Sequence, residues 1–127
     1  MSKIHWTDVW KGPFKYDEGG DVYSKDNVWV FTPDISLDYD DPEIMKLIAD
    51  ITEVLNTGEE LKEKYTGMEI VADIDLWWNG KEIGSFRGWG FLTGAMKLDE
   101  EEAAGIQDEM IAFVMERISV GWNTSEA

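Results

Sequence analysis

Residues 73–90 read DIDLWWNGKEIGSFRGWG, and the Asn79-Gly80 pair at their centre decides the fold. A two-residue type I′ turn needs positive φ at both central positions, which Asn and Gly supply, so this pair between patterned arms signals a β-hairpin. Upstream, MEIVADIDLWW (68–78) sets Met68, Ile70, Ala72, Ile74, Leu76 and Trp78 in alternation with Glu69, Val71, Asp73, Asp75 and Trp77, the period of one long strand. Closing the hairpin at Asn79-Gly80 places Leu76 across from Ile83, Ile74 across from Ser85 and Ile70 across from Trp89. Neighbouring residues in a strand point to opposite faces, so Trp77 and Trp78 cannot form one aromatic platform. Trp78 is expected in the core. Trp77 is expected on the face carrying Asp73 and Asp75, opposite Glu82, where it serves as an interface anchor or covers the sheet glycine Gly84.

Downstream of the hairpin, Gly88, Gly90 and Gly94 have GxGxxxG spacing, not the GxGxxG of a dinucleotide-binding turn. The next helix opens with Asp99, Glu100, Glu101 and Glu102, and carboxylates there fill the field a phosphate would use. Asp99 and Glu102 have capping-box spacing. Ala103, Ile106, Met110, Phe113, Val114 and Ile118 then form the apolar stripe, Gln107, Asp108, Glu109 and Glu116 face solvent, and Gly121 ends the helix.

Upstream, PFKYDEGGDVYSKDNVWVFT (13–32) reads as strands broken at Gly19-Gly20 and at Ser24-Lys25-Asp26-Asn27. Asp41-Pro42-Glu43 supplies an N-cap, a proline at the first helical position and an acid in the first turn. Ile44, Leu47, Ile48, Ile51 and Leu55 follow at helical spacing up to Asn56 and Gly58. Thr57 and Glu60 suggest a further short helix over GEELKEKY. The expected architecture is one α+β domain over 1–127, an antiparallel sheet of two hairpin regions with two main amphipathic helices on one face. The order hairpin, loop, helix recurs in 13–58 and 68–121, a weak internal repeat.

The chain has 127 residues and is 43% apolar, enough for one hydrophobic core. It has no cysteine, which removes thiolate metal sites and disulfides and points to a reducing, cytoplasmic setting. No segment reads as a signal peptide or approaches the roughly 18 apolar residues of a membrane helix. Eleven basic against 27 acidic side chains give a net charge of −16, well past the about 2–8 units a small domain uses for solubility. That sign opposes nucleic acid, anionic membranes and nucleotides, and favours a basic partner.

Catalytic machinery is not legible. His5 is the single histidine and lies beside Trp6 in an N-terminal segment expected to be mobile, without a positioned partner. Asp73 and Asp75 could pair as acid and base, but a solvated face explains them equally. DISLDYDDPE (34–43) offers oxygen donors without the glycine and terminal glutamate of a calcium loop. No metal, cofactor or catalytic residue is therefore assigned.

The run from Ile74 to Ile118, with GKEIGSFRGWGFL and EEEAAGIQDEMIAFVMERI, resembles a group of small uncharacterised phage- and prophage-encoded proteins. In that group a short hairpin ends in Arg-Gly-Trp-Gly and leads into a helix containing Gln-Asp; PFKYDEGG is similar to its opening segment. The acidic loop and first helix between these pieces depart from the pattern. The resemblance implies an α+β unit in the cytoplasm of a bacterial host and carries no assigned activity.

Two function classes remain. In the first, the protein is non-enzymatic and docks on a basic, nucleic-acid-binding surface of a host protein, as an anti-CRISPR-like inhibitor or nucleic-acid mimic would. The residues expected to carry it are Asp73, Asp75, Asp99, Glu100, Glu101 and Glu102, with Trp77 as anchor. In the second, exposed tryptophans bind a small ligand or glycan.

Overall fold

The computed structural model describes residues 4–36 and 41–126. The hairpin turn forms as read: Asn79 and Gly80 take φ of 55° and 75° between β6 (Asp75–Trp78) and β7 (Lys81–Phe86). Trp78 pairs with Lys81 and Trp77 with Glu82, after which the register slips and Leu76 faces Gly84 while Asp75 faces Ser85. The expected Leu76–Ile83 and Ile74–Ser85 pairs are therefore each off by one. A bulge on β7 inserts Ile83, whose carbonyl accepts from the Asp34 N–H at 2.9 Å.

Residues 68–78 are two strands, not one. Ala72 and Asp73 adopt φ of 50° and 71° and turn the chain, so that β5 (Glu69–Val71) runs antiparallel to β6 with Ile70 opposite Leu76. Ile70 accordingly does not meet Trp89. The alternation survives the turn because each arm buries one face, so its period is that of a strand on both sides.

The first hairpin region gives β1 (Lys15–Tyr16), β2 (Val22–Tyr23) and β3 (Trp29–Pro33). The sheet has seven strands in the order β1-β2-β3-β7-β6-β5-β9 and is mostly antiparallel. It exceeds two hairpins because the chain end contributes β9 (Asn123–Ser125), parallel to β5. A separate parallel pair joins β4 (Tyr65–Thr66) to β8 (Ser119–Val120). The second helix expected over GEELKEKY is absent: Lys62–Lys64 is a turn leading into β4, fixed where the Leu61 N–H donates to the Arg117 carbonyl.

Of the helices, α1 (Trp6–Val9) is short. Helix α2 (Pro42–Thr57) starts at Asp41, whose side chain accepts from the Glu43 N–H, and stops at Gly58 with φ 72°. Helix α3 (Glu100–Ile118) starts at Asp99, which accepts from the Glu102 N–H at 2.8 Å. Between β7 and α3, Phe91–Ala95 forms a single π-helical turn.

Pairing fixes the faces of the sheet. Val22, Phe31, Phe86, Leu76 and Ile70 share one side and are buried in one cluster with Leu47, Ile48 and Ile51 of α2 and Met110, Val114 and Ile118 of α3. Both main helices thus cover one face, and each fully buried aliphatic side chain there contributes about 1.5–3 kcal/mol. Gly84 lies on this face: a Cβ would sit 2.3 Å from the Thr32 carbonyl oxygen and 2.6 Å from the Phe31 ring. Phe31, not Trp77, therefore covers that glycine. No support emerges for the internal repeat. Both halves place three strands before a helix, but the strands differ in length, and among the described residues the π-helical turn and β9 have no counterpart in the first half.

Candidate acidic groove and the open sheet face

The face of the sheet away from the helices carries Glu69, Trp77 and Glu82 across one row and Val71, Asp75, Ser85 and Thr32 across the next. Ser85 Oγ donates to Asp75 at 2.7 Å and Thr32 Oγ1 donates to Asp21. Glu82 is pushed above the ordinary carboxylate range, first by the hydrogen bond it donates to Asp34. Asp34 is held below that range, chiefly by hydrogen bonds from Ser36. Trp77 is half-buried between Glu69 and Glu82, with its indole N–H buried and unpartnered. Farther along, Trp29 stacks on Tyr23 at 6.4 Å, and the Arg87 guanidinium lies 4.6 Å from the Trp29 ring centre.

Asp73 does not share this face. Its place in the β5–β6 turn carries it to the flank of α3, where it meets Asp108. Asp108 is pushed above the ordinary carboxylate range, first by desolvation and then by the charge of Asp73. Among the described residues neither carboxylate has an ion-pair or hydrogen-bond partner for its side chain.

Two recesses share this pair of acids. One, of about 380 Å³, lies between Asp73, Asp108, Gln107, Ala104 and Trp89. The other, of about 560 Å³, extends past Ala112 to Trp122 and Glu126. They adjoin at this pair as one groove, with Trp89 lining one recess and Trp122 and Glu126 the other, and among the described residues no Lys or Arg lines either. The groove has three sources: positive φ at Ala72 and Asp73 swings the turn toward the helix, helical spacing aligns Ala104, Asp108 and Ala112, and β9 brings Trp122 and Glu126 alongside. Trp89 is 41% exposed. Gln107, expected on the solvent side of α3, is 5% exposed, with its amide Nε2 buried and unpartnered.

The residues singled out from the sequence thus fall in three places. Asp73 lies in the groove, Asp75 and Trp77 on the open sheet face, and Asp99, Glu100, Glu101 and Glu102 at the start of α3. Glu100 stands two turns before Asp108 on the same helical face. Trp89, Gln107 and Asp108 are not singled out as binding residues by the sequence, whereas Trp122, like Trp6 and Trp10, reads there as packing, a ligand contact or part of an oligomer interface. Trp6 and Trp10 are core residues, 7% and 1% exposed.

His5 is ordered at the start of α1. Its N–H donates to Asp8 at 2.9 Å, and its Nδ1 lies 3.2 Å from Glu109 Oε1. It has a positioned partner after all, but the pair is exposed, and among the described residues no hydrogen bond links His5 to a hydroxyl nucleophile. Residues 37–40 of the acidic loop lie outside the described residues. Among the described residues no group of three or more His, Cys, Asp or Glu is placed to hold a metal ion, and no helix is long and apolar enough to cross a membrane. Comparison with family models, curated proteins and solved structures finds no match to this chain.

Proposed function

We propose that this protein is a non-enzymatic binding module that docks on a basic surface of a partner protein through the groove between the 72–74 turn and α3. The observation that carries the reading is the Asp73–Asp108 pair, two like charges brought together by separate elements with no cation between them among the described residues. Such an arrangement costs stability when the protein is free and is relieved when a cation enters. The overall charge of −16 adds long-range attraction and speeds encounter with a basic partner. Trp89 and Trp122 supply apolar contact of the kind that concentrates binding energy. Where the partner's basic surface is one that binds nucleic acid, occupancy by this protein masks it, so inhibition by mimicry is the specific form of the proposal.

A ligand or glycan stacked on exposed tryptophan fits less well. Arg87 already covers Trp29, and a neutral ligand at Trp89 leaves the two adjacent carboxylates uncompensated.

The test uses a fluorescein-labelled deca-arginine peptide and a labelled DNA duplex in anisotropy titrations. The peptide is expected to bind, with affinity falling as salt rises, and the duplex is not. The doubly substituted Asp73→Asn/Asp108→Asn protein is expected to bind the peptide at least about tenfold more weakly, equivalent to 1.4 kcal/mol. Unchanged affinity in that variant, or no peptide binding by the unaltered protein, removes the proposal.

A further inference from the structure

Resting on the docking reading above, we infer that the recess between Trp89 and the Asp73–Asp108 pair is a guanidinium site that receives one arginine side chain of the partner. The groups that define it converge from three segments: the β5–β6 turn, the stretch after β7, and one turn of α3. Trp89 presents an exposed indole, Asp73 and Asp108 present unpaired carboxylates, and Gln107 presents an amide buried to 95% whose Nε2 has no partner.

These groups discriminate among ligand chemistries. A phosphate or carboxylate is repelled by the two acids. A neutral sugar can stack on Trp89 but leaves the acids facing one another. A cation satisfies both, and a guanidinium satisfies more of the site than an ammonium. It is planar, so it stacks on the indole while its edge donates to carboxylates on either side. It carries five N–H donors and no acceptor. Gln107 lines the recess with Nε2 turned inward and unpartnered, which leaves Oε1 as the amide atom free to accept from one of those donors. The recess, about 380 Å³, lies near the lower end of ligand pockets and suits a single side chain.

The chain's own arginines show the same chemistry already in use. Its two arginines, Arg87 and Arg117, each lie over a ring, Arg87 over Trp29 and Arg117 over Phe113 at 3.8 Å. Among the described residues no cation lies over Trp89. On this inference the partner supplies the stacking cation at this third ring.

The experiment titrates ¹⁵N-labelled protein with three acetylated, amidated tripeptides, Gly-Arg-Gly, Gly-Lys-Gly and Gly-citrulline-Gly. The arginine peptide is expected to shift the Trp89 indole and Gln107 side-chain resonances, the lysine peptide to do so at several-fold higher concentration, and citrulline, isosteric but neutral, to leave them in place. Trp89→Ala is expected to weaken the arginine peptide by about 3- to 30-fold. Equal shifts from lysine or citrulline, shifts centred on Trp29 or Trp77, or no shift at Trp89 and Gln107 overturn the inference. If the tripeptide fails while deca-arginine still binds in an Asp73- and Asp108-dependent way, only the guanidinium site is lost. If deca-arginine does not bind either, the docking reading goes with it.

Discussion

Neutralising Asp108 is expected to make the protein more stable and less able to bind, and the structure sets the sign and order of the effect. In the folded protein Asp108 is held above the ordinary carboxylate range, with desolvation the larger cause and the charge of Asp73 the smaller. The folded chain therefore holds this proton more tightly than the unfolded chain does, and ionising Asp108 costs stability. That cost is absent below about pH 4, where the carboxyl is protonated in both states. It is complete once the pH has risen through the folded-state value. Asp108 lies at the surface, so the gain from Asp108→Asn at pH 7 is discounted for screening to about 0.2–1 kcal/mol at low salt. With a urea m-value of about 2 kcal/mol/M, the midpoint rises by roughly 0.1–0.5 M. Asp73→Asn removes only the repulsion, so its electrostatic gain is smaller. Once Asp108 is neutral, Asp73 has nothing to repel, and the double variant gains less than the two single variants summed. A double-mutant cycle also subtracts any preference of Asn over Asp at the 71° φ of position 73. Urea unfolding of the four proteins at pH 7 and pH 3.5, each at low and high salt, checks this. Loss of stability in Asp108→Asn at pH 7, or zero coupling between the two sites, refutes the reasoning.

Three further outcomes follow from the packing. Gly84→Ala drives a methyl into the Thr32 carbonyl oxygen at 2.3 Å and the Phe31 ring at 2.6 Å, so it costs at least about 3 kcal/mol in chemical denaturation or prevents folding. Tyr65→Phe removes the bond that Tyr65 Oη donates to Asp50 at 2.6 Å and should cost about 1.5–3 kcal/mol, because the acceptor is charged; the same bond, after burial, holds the phenol well above its ordinary pKa. Trp10→Ala, at a residue 1% exposed and packed on Gly88, should cost about 3–5 kcal/mol, whereas Trp89→Ala should cost under about 1 kcal/mol of stability and act on binding.

What could be read from the sequence was what local physics alone determines. Asn79-Gly80 demands its turn whatever surrounds it, and the caps at Asp41 and Asp99 sit beside apolar stripes of clear helical period. The misreadings arose where distant segments decide. Ala72 and Asp73 are ordinary residues forced to positive φ, and an alternation that continues on both sides conceals their turn. The β7 bulge depends on a third strand, through the Asp34–Ile83 hydrogen bond. GEELKEKY has a helix-start spacing, but β4 gains its partner from Ser119 and Val120. The same holds for the candidate site. Asp73 stood out beside Asp75, yet adjacent turn and strand geometry separate them, while its neighbour Asp108 lies far along the chain and reads as one more acid on a solvated helix face. The one available signal was Gln107: on the expected stripe geometry it borders Ile106 and Met110 closely enough to be drawn inward, and a buried amide needs a partner.

The central claim is that binding depends on where the negative charge sits, not on how much there is. Three proteins separate the two: the unaltered chain, Asp73→Asn/Asp108→Asn, and Glu53→Gln/Glu63→Gln, which removes the same charge from exposed positions on α2 and in the turn before β4. Dissociation constants for labelled deca-arginine, measured side by side at 0.1 M salt, are expected to rise at least about tenfold for the groove variant and less than about twofold for the other. Equal weakening in the two variants would mean that net charge alone attracts the peptide, and the groove would have no claim to be the binding site.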